Sequence, residues 1–442
     1  MVSKMRKTNP LAALALVAAL PALSMGGDPV VEIHGAGWLQ AGKIEKSSVS
    51  GNVNDYNKTW FRNAGGVFGA SAKFDDNWDG GFGLGTINVH LTRGQTTGAN
   101  IWYPFWVPFV TEARVTRTSI FAEDHKLALT IGAFPVNYNP DVKNLGLYLM
   151  HGYVYPGALV SAYTGPLGVL AATTGAMASY QIGRFQDNLI LISETDDHPL
   201  YDFSLADIAT FKPIPGIELG AGVNLYRLIA QDKRQTSPGK DCIASSELGE
   251  YSKGCFELDS VGVLSDGTIV NDTVTGSLAG TKLMARFHLD PKAIFGFQGP
   301  LGPGDLIIYG EAAVLGVKNQ GKYYDDIKQR VPVMVGFNFP TFRILDNLSL
   351  EAEYYASKNS SDNIAAQYGS WVPSVHEDVN NKRDDWKWSL NIDKVLLGHI
   401  KISGQLANDH LRLGGFHNLA TGVETTTTPK DYYWTTKVVY FF

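Results

Sequence analysis

Beyond its first 24 residues, the sequence lacks any run of about 18 apolar residues, the length that a transmembrane helix needs. Its longest apolar and aromatic run, residues 101–110, is interrupted by Pro104 and Pro108. A protein that crosses a membrane with helices is therefore excluded.

Charge is also scarce. Charged residues make up 18% of the 442 residues, against about 25% in ordinary soluble domains. The 37 basic residues are outnumbered by 43 acidic ones, which argues against a nucleic-acid partner. Glycine (47 residues) and aromatic side chains (11%) are plentiful, and this composition is typical of sheets joined by tight turns.

The N-terminus has the three parts of a secretory signal peptide. Lys4, Arg6 and Lys7 precede an apolar core at residues 11–20, and Ala22-Leu23-Ser24 follows as a processing site. We predict removal of residues 1–24, which takes away three basic residues and no acid, so that the net charge falls from -6 to -9. A buried N-terminal helix is the alternative.

Cysteine is nearly absent. Cys242 and Cys255 lie in one polar stretch of a chain that we expect to be exported. A local disulfide within one loop is therefore predicted. No histidine lies near them, so no metal site is expected there.

The pattern that repeats along the chain is alternation with a period of two. Apolar and polar residues alternate in about sixteen runs, among them GTINVHLTR, GIELGAGVNLY, TKLMARFHL, LSLEAEYYA and HIKISGQLA. Successive side chains of a strand point to opposite faces, so each run gives one apolar and one polar face.

The connections alternate between short turns and long polar loops. Turns such as 75–81, 213–216 and 396–399 contrast with the loops 42–60, 232–275, 359–383 and 411–429. This alternation, with aromatic residues near strand ends, is typical of a transmembrane barrel. A soluble β-sandwich also alternates but does not need about sixteen strands. We predict residues 25–442 to be a single all-β domain, a closed antiparallel transmembrane β-barrel of about 16 strands (14–18).

The last strand carries the resemblance to a known class. The chain ends in DYYWTTKVVYFF, with Trp434, Val438, Tyr440 and Phe442 on one face and Thr436 as the weakest position. This end, with the signal peptide and the alternating strands, resembles the outer-membrane barrels of Gram-negative bacteria, porins in particular. The resemblance implies an outer-membrane location and recognition of the last strand by the barrel-assembly machinery. Outer-membrane lipid and lipopolysaccharide are implied partners, and a homo-oligomer is compatible with it.

Ionisable residues fall on the alternate strand positions that face the barrel interior. A base facing lipid near the midplane would cost about 2–4 kcal/mol, and side chains alone do not fill a barrel of this size. We therefore interpret these residues as the lining of a water-filled pore, with a structural plug as the alternative. The predicted pore-lining residues are Glu112, Arg114, Lys126, Glu218, Lys282, Arg286, Glu311, Glu351, Glu353, Lys387, Lys401 and Lys437.

Two irregular segments are candidates for narrowing the pore. Residues 137–156 are too long for a tight turn, and we predict a constriction loop or an ordinary external loop. The constriction candidates are Tyr138, Asn139, Asp141, Lys143 and Tyr148. The aromatic run 101–110 predicts a second constriction or, more simply, an aromatic girdle that continues into the next strand.

Enzyme activity, a metal site and a cofactor are not predicted. The turn at residues 75–80 begins like a calcium loop, but Thr86 stands where the loop needs Glu, so a polar turn is the better interpretation. No G-x-S-x-G motif is present, and nothing in the sequence brings His34, His90 and His288 together.

Three functions follow as hypotheses. The first is a passive channel for small hydrophilic solutes. The alternatives are a structural or adhesive barrel that binds polysaccharide, and a transporter of hydrophobic solutes guarded by residues 101–110.

Overall fold

The fold is given by a computed structural model. It describes residues 29–48, 56–92, 101–102, 106–151, 172–193, 202–229, 255–263, 269–277, 280–297, 299–317, 327–356, 386–413 and 423–442. The predicted signal peptide and loop 359–383 lie outside the described residues.

The described residues form a closed barrel of sixteen antiparallel strands, as the alternation predicted. Each strand pairs with its neighbours in the chain, and the first pairs with the last. The strands are β1 Val30–Lys46, β2 Trp60–Lys73, β3 Trp78–Thr92, β4 Val107–Ala122, β5 His125–Pro135, β6 Ala172–Ile182, β7 Phe185–Ser193, β8 Phe203–Phe211, β9 Ile217–Ile229, β10 Gly280–Leu289, β11 Ile308–Val314, β12 Val333–Asn338, β13 Asn347–Tyr354, β14 Trp386–Leu396, β15 Ile400–Asn408 and β16 Tyr432–Phe441.

The seam between β1 and β16 closes the barrel. β16 pairs with residues 36–46 of β1. Beyond the strand, the amide of Gly35 donates to the carbonyl of Phe442 (3.0 Å), and the amide of Phe442 donates back to Gly35 (3.1 Å). Closure leaves neither terminal strand with an unpaired edge.

The connections differ between the two ends of the barrel. At one end, the short-turn end, strands are joined by connections such as 123–124, 183–184 and 397–399. The connection 290–307 is longer and contains a short helix, Pro291–Phe295. At the other end, the long-loop end, connections include residues 136–171 and 230–279. The predicted loop 232–275 overlaps two paired strands, Cys255–Val263 and Ile269–Ser277.

The barrel has an apolar outside and a polar inside. Large apolar side chains such as Leu39 (68% exposed) and Ile131 (68%) point outward, whereas Asn63, Lys282 and Ser389 are buried inside. Exposed apolar surface on this scale marks contact with lipid or with another protein. In the part of the chain that the structure describes, no helix is long and apolar enough to cross a membrane.

Candidate functional site

Residues 136–151, which we call the lumen segment, leave β5 and cross the barrel interior. They contact β11 and β13, which stand six and eight places from β5 in the ring of sixteen strands. β13 therefore lies opposite β5. The eight residue-to-residue steps from Pro135 to Lys143 extend at most about 29 Å, which lets the chain reach this far wall.

Glu311, on β11, is the first anchor of the lumen segment. Its Oε1 accepts from the hydroxyl of Tyr138 (2.7 Å) and the amide of Tyr148 (2.8 Å), and its Oε2 accepts from the Asn139 amide group (2.8 Å). A weaker bond comes from the amide of Leu147 (3.2 Å). Burial and the adjacent Glu311 carboxylate raise the pKa of Tyr138 well above its usual value, so its hydroxyl stays protonated and donates.

Glu351, on β13, is the second anchor. It accepts from the consecutive backbone amides of Lys143 (2.6 Å), Asn144 (2.9 Å) and Leu145 (3.0 Å). Three successive amides on one carboxylate form a nest that fixes the backbone of the segment. The hydroxyl of Tyr309 also donates to Glu351, at 2.9 Å.

Two further carboxylates hold the same stretch. Glu353 accepts from the hydroxyl of Tyr148 (2.6 Å) and lies 2.7 Å from Nε2 of His410. Asp409, directly after β15, accepts from the side chain of Asn144 and from the hydroxyl of Tyr433. The lumen segment is thus tied to β11, β13 and the end of β15.

A tight turn shapes the tip of the segment. Gly146 (φ 104°) and Leu147 (φ 58°) have positive φ angles, which favour glycine at the first position. The short helix Tyr148–Met150 follows. Leu145, Tyr148, Leu149 and Met150 are buried in an apolar cluster with side chains of β7 to β13. The interior along this wall is consequently packed with side chains.

Polar contacts fix the remaining part of the segment. The carbonyl of Leu149 accepts from the side-chain amide of Asn224 (2.8 Å) and from Lys282 (3.3 Å). The carboxylate of Asp141 lies 2.7 Å from Nδ1 of His288 on β10.

The twelve predicted pore-lining residues fall into two groups. Six are buried on the wall behind the lumen segment or at its edge: Lys282, Arg286, Glu311, Glu351, Glu353 and Lys387. The other six, Glu112, Arg114, Lys126, Glu218, Lys401 and Lys437, are partly or fully exposed. The alternation alone does not separate the two groups.

The wall opposite the packed side carries four of the six accessible charges, whereas Lys126 and Glu218 lie on β5 and β9. Arg114 pairs with Asp79 (2.5 Å) and with Glu112, and Lys401 pairs with Asp393 (3.3 Å). The ammonium of Lys437 lies 5.7 Å from the ring centre of Trp38. Between these groups, the side chain of Asn63 donates to Gln40 (2.7 Å). Both signs of charge and neutral amides therefore face the interior on this side.

Apolar side chains on the same wall are covered. Trp38, Ile87 and Val439 pack together and are each at most 8% exposed. The Trp38 ring lies over Gly65, and the Phe109 ring lies over Gly85. Phe109 thus packs into the wall, whereas Trp106 is 53% exposed, so the two aromatic side chains of the run 101–110 that the structure describes lie in different environments.

The other predicted residues are placed as follows. Val438, Tyr440 and Phe442 are exposed on the outside, and Trp434 lies on the same face. The turn at residues 75–78 is a polar turn in which Asp75 accepts from the amides of Asn77 and Trp78. Cys255 begins a strand, but Cys242 lies outside the described residues, so the disulfide stays a prediction.

Sequence reasoning missed several residues that hold the lumen segment. Asp409, His410 and Tyr309 lie at or beyond the ends of strands, where no pattern distinguishes them from ordinary polar residues. Leu149 and Met150 carried a detectable signal, since an apolar run within a polar loop indicates burial.

No protein-family model matches the sequence, and no curated protein is significantly similar to it. Among solved structures, the chain is similar to engineered variants of the porin of Rhodopseudomonas blastica. A variant with three substitutions matches at 9% identity and a TM-score of 0.44, over 93% of this chain and 100% of the other. A variant with two substitutions matches at 10% identity and a TM-score of 0.43 over the same shares.

At the level of class, the chain resembles the porins.

Proposed function

We propose that the protein is an outer-membrane channel through which small hydrophilic solutes diffuse passively. The observation that carries this proposal is the lumen segment, which is folded onto one wall while the opposite wall keeps accessible charges. A plug that filled the barrel would cover both walls in the same way.

The accessible groups support a hydrophilic solute. Arg114, Asp79 and Lys401 have side chains between 26% and 40% exposed, and charged side chains of this kind set the field inside a pore. Both signs occur on this wall, so we expect weak ion selectivity.

A hydrophobic solute is less well supported. The apolar side chains of the same wall, Trp38, Ile87 and Val439, are packed against one another and offer little surface to a solute.

The width of the channel should be set by the lumen segment. In this proposal the solute passes between the segment and the wall formed by β15, β16 and β1–β4. The residues Asn139, Asp141 and Lys143 belong to this segment, and we propose it as the constriction.

Planar-bilayer recording of the refolded protein tests the channel. We expect stable open steps, together with swelling of liposomes in small sugars that declines as the sugar grows. A barrel that folds, as judged by its heat-dependent gel mobility, but gives no conductance would overturn the proposal.

A further inference from the structure

The outer face of the barrel carries a cluster of cations and aromatic rings at the long-loop ends of β1, β2 and β16, which we call the rim patch. Its members are Lys43, Lys46, Lys58, Arg62, Glu45, Trp60, Tyr432 and Trp434. Lys43 pairs in register with Trp60 on one side and with Trp434 on the other. These residues share the outward face with Leu39 and Val438, which are exposed apolar side chains of the same strands.

Glu45 organises the centre of the rim patch. Its carboxylate accepts from Lys58 (2.7 Å), from Lys43 (3.1 Å) and from the indole nitrogen of Trp434 (3.1 Å). The rings of Trp60 and Trp434 meet edge to face at 5.5 Å, and the Lys43 ammonium lies 5.6 Å from the Trp60 ring centre. The two lysines and the two rings are thus held in a defined arrangement.

The remaining cations of the patch are open. Lys46 and Arg62 are exposed, and neither side chain makes a hydrogen bond or an ion pair within the described structure. Arg62 stands opposite Ala41 and diagonal to Lys43, and diagonal neighbours on a sheet are about 7–8 Å apart. Four cations against one carboxylate give the patch an excess of positive charge on a chain whose net charge is -6.

Among the described barrel strands, outward-facing cations of the long-loop end are found only in this sector of the rim. In the long-loop halves of the described barrel strands, the outward-facing cations are the half-buried Lys43 and the exposed Lys46 and Arg62, all on β1 and β2. Other strand ends on this side present apolar or aromatic residues, among them Trp106, Tyr354 and Trp386. A general need for solubility would not concentrate cations in one place.

The position of the patch selects its ligand. Trp and Tyr rings gather where the hydrocarbon of a membrane meets the head groups, and basic clusters at that depth bind anionic head groups. Arg and Lys are the residues that bind phosphate, Arg with two parallel hydrogen bonds. We propose that the rim patch binds the phosphate of an outer-leaflet lipid, with Lys43, Lys46 and Arg62 contacting the phosphate and Trp60 packing against the acyl chains. This inference rests on the proposed outer-membrane location and not on the channel.

Native mass spectrometry of the full chain tests the site. The probes are lipid A with both phosphates, the same lipid after dephosphorylation, and inorganic phosphate. We expect the phosphorylated lipid to bind and the dephosphorylated lipid to bind at least about tenfold more weakly, since each cation contributes about a factor of five. Equal binding of the two lipids overturns the proposal, and so does displacement by millimolar inorganic phosphate, which would indicate a plain anion site.

The variant K43Q/K46Q/R62Q removes three charges from the patch, and R117Q/K394Q is its control. Arg117 and Lys394 lie on outward-facing positions near the short-turn end of β4 and β14. We expect the triple variant to lose the preference for phosphorylated lipid and the control to keep it. If the triple variant does not fold, the single variant R62Q should reduce binding about fivefold, because the Arg62 side chain makes no hydrogen bond or ion pair with the described residues that its loss would disturb.

Two results would assign the patch another role. If the triple variant retains the lipid, or if it changes the oligomeric state of lipid-free protein, the patch is not a lipid site. Conductance separates this inference from the proposed function. We expect the rim variants to conduct as the unaltered protein does. A folded protein that does not conduct but still binds the phosphorylated lipid would overturn only the proposed channel function.

Discussion

The hydroxyl of Tyr138 donates a 2.7 Å hydrogen bond to the carboxylate of Glu311, which lies on a strand six places away around the barrel. This contact joins a segment that leaves one wall to the wall on the far side. The same carboxylate also accepts from Asn139 and Tyr148. A buried charge is stable only when it is hydrogen-bonded in this way.

The variant E311Q should release the lumen segment. The glutamine side chain at position 311 can accept only through its oxygen. The hydroxyl of Tyr138 and the side-chain amide of Asn139 therefore lose their charged acceptor, at a cost of about 2 kcal/mol or more. We expect larger and noisier conductance steps in planar bilayers. The control is E112Q, which changes a carboxylate on the opposite wall, and equal effects of the two variants would contradict the docking role of Glu311.

Gly336 on β12 should not tolerate a side chain. The ring of Tyr309 lies across it, and a Cβ at this position would overlap the ring. The variant G336A should displace Tyr309 from Glu351 and destabilise the barrel by about 1–3 kcal/mol, measured as a lower thermal unfolding temperature in detergent. G404A is the matched control, since a Cβ at Gly404 meets open space and should leave that temperature unchanged.

Removal of Phe442 should impair closure of the barrel more than conduction. Deletion removes the two backbone hydrogen bonds to Gly35 as well as the ring that lies over this glycine. We expect a sharply reduced yield of folded protein, while the barrels that do form conduct normally. The variant F442A keeps the backbone bonds and should give an intermediate yield. Normal yields for both variants would show that the seam does not need this residue.

Asp305 should make the short-turn end sensitive to acid. Burial opposes its ionisation, but hydrogen bonds from the amide of Gly302 (2.8 Å), the hydroxyl of Thr341 (2.8 Å) and the amide of Phe342 (3.2 Å) hold its pKa below the usual range. A carboxyl whose pKa is lowered by folding stabilises the protein above its unfolded pKa of about 3.9. That stability is lost as the pH falls through the folded pKa.

Thermal unfolding between pH 7 and pH 2 checks this expectation. D305N should unfold at a lower temperature than the unaltered protein at pH 7, and the difference should shrink in acid. D76N is the control, because Asp76 lies exposed in the β2–β3 turn. A difference that does not change with pH would exclude ionisation of Asp305 as the cause.

Much of the architecture was predictable from residue order. Alternation placed Lys437 inside and Val438 outside because successive residues of a strand must face opposite ways. It also predicted sixteen strands and the pairing of the last strand with the first, since a sheet in lipid must close.

The candidate site was less predictable. The range 137–156 was identified because it is too long for a turn, but its partners were not. Asp409 and Tyr309, which hold it, are far from it in sequence, and their neighbours give them no distinguishing pattern.

The sequence by itself determined which face of each strand is apolar, and hence the barrel, because that information is local and repeats every two residues. Only the tertiary structure decided which interior charges are buried. Glu112 and Glu351 both lie on the inward face of a strand and both precede an alanine, yet one lies on the open wall and the other holds three backbone amides. The difference arises because a segment from β5 docks beside only one of them, and the place where a loop docks depends on contacts between residues distant in the chain.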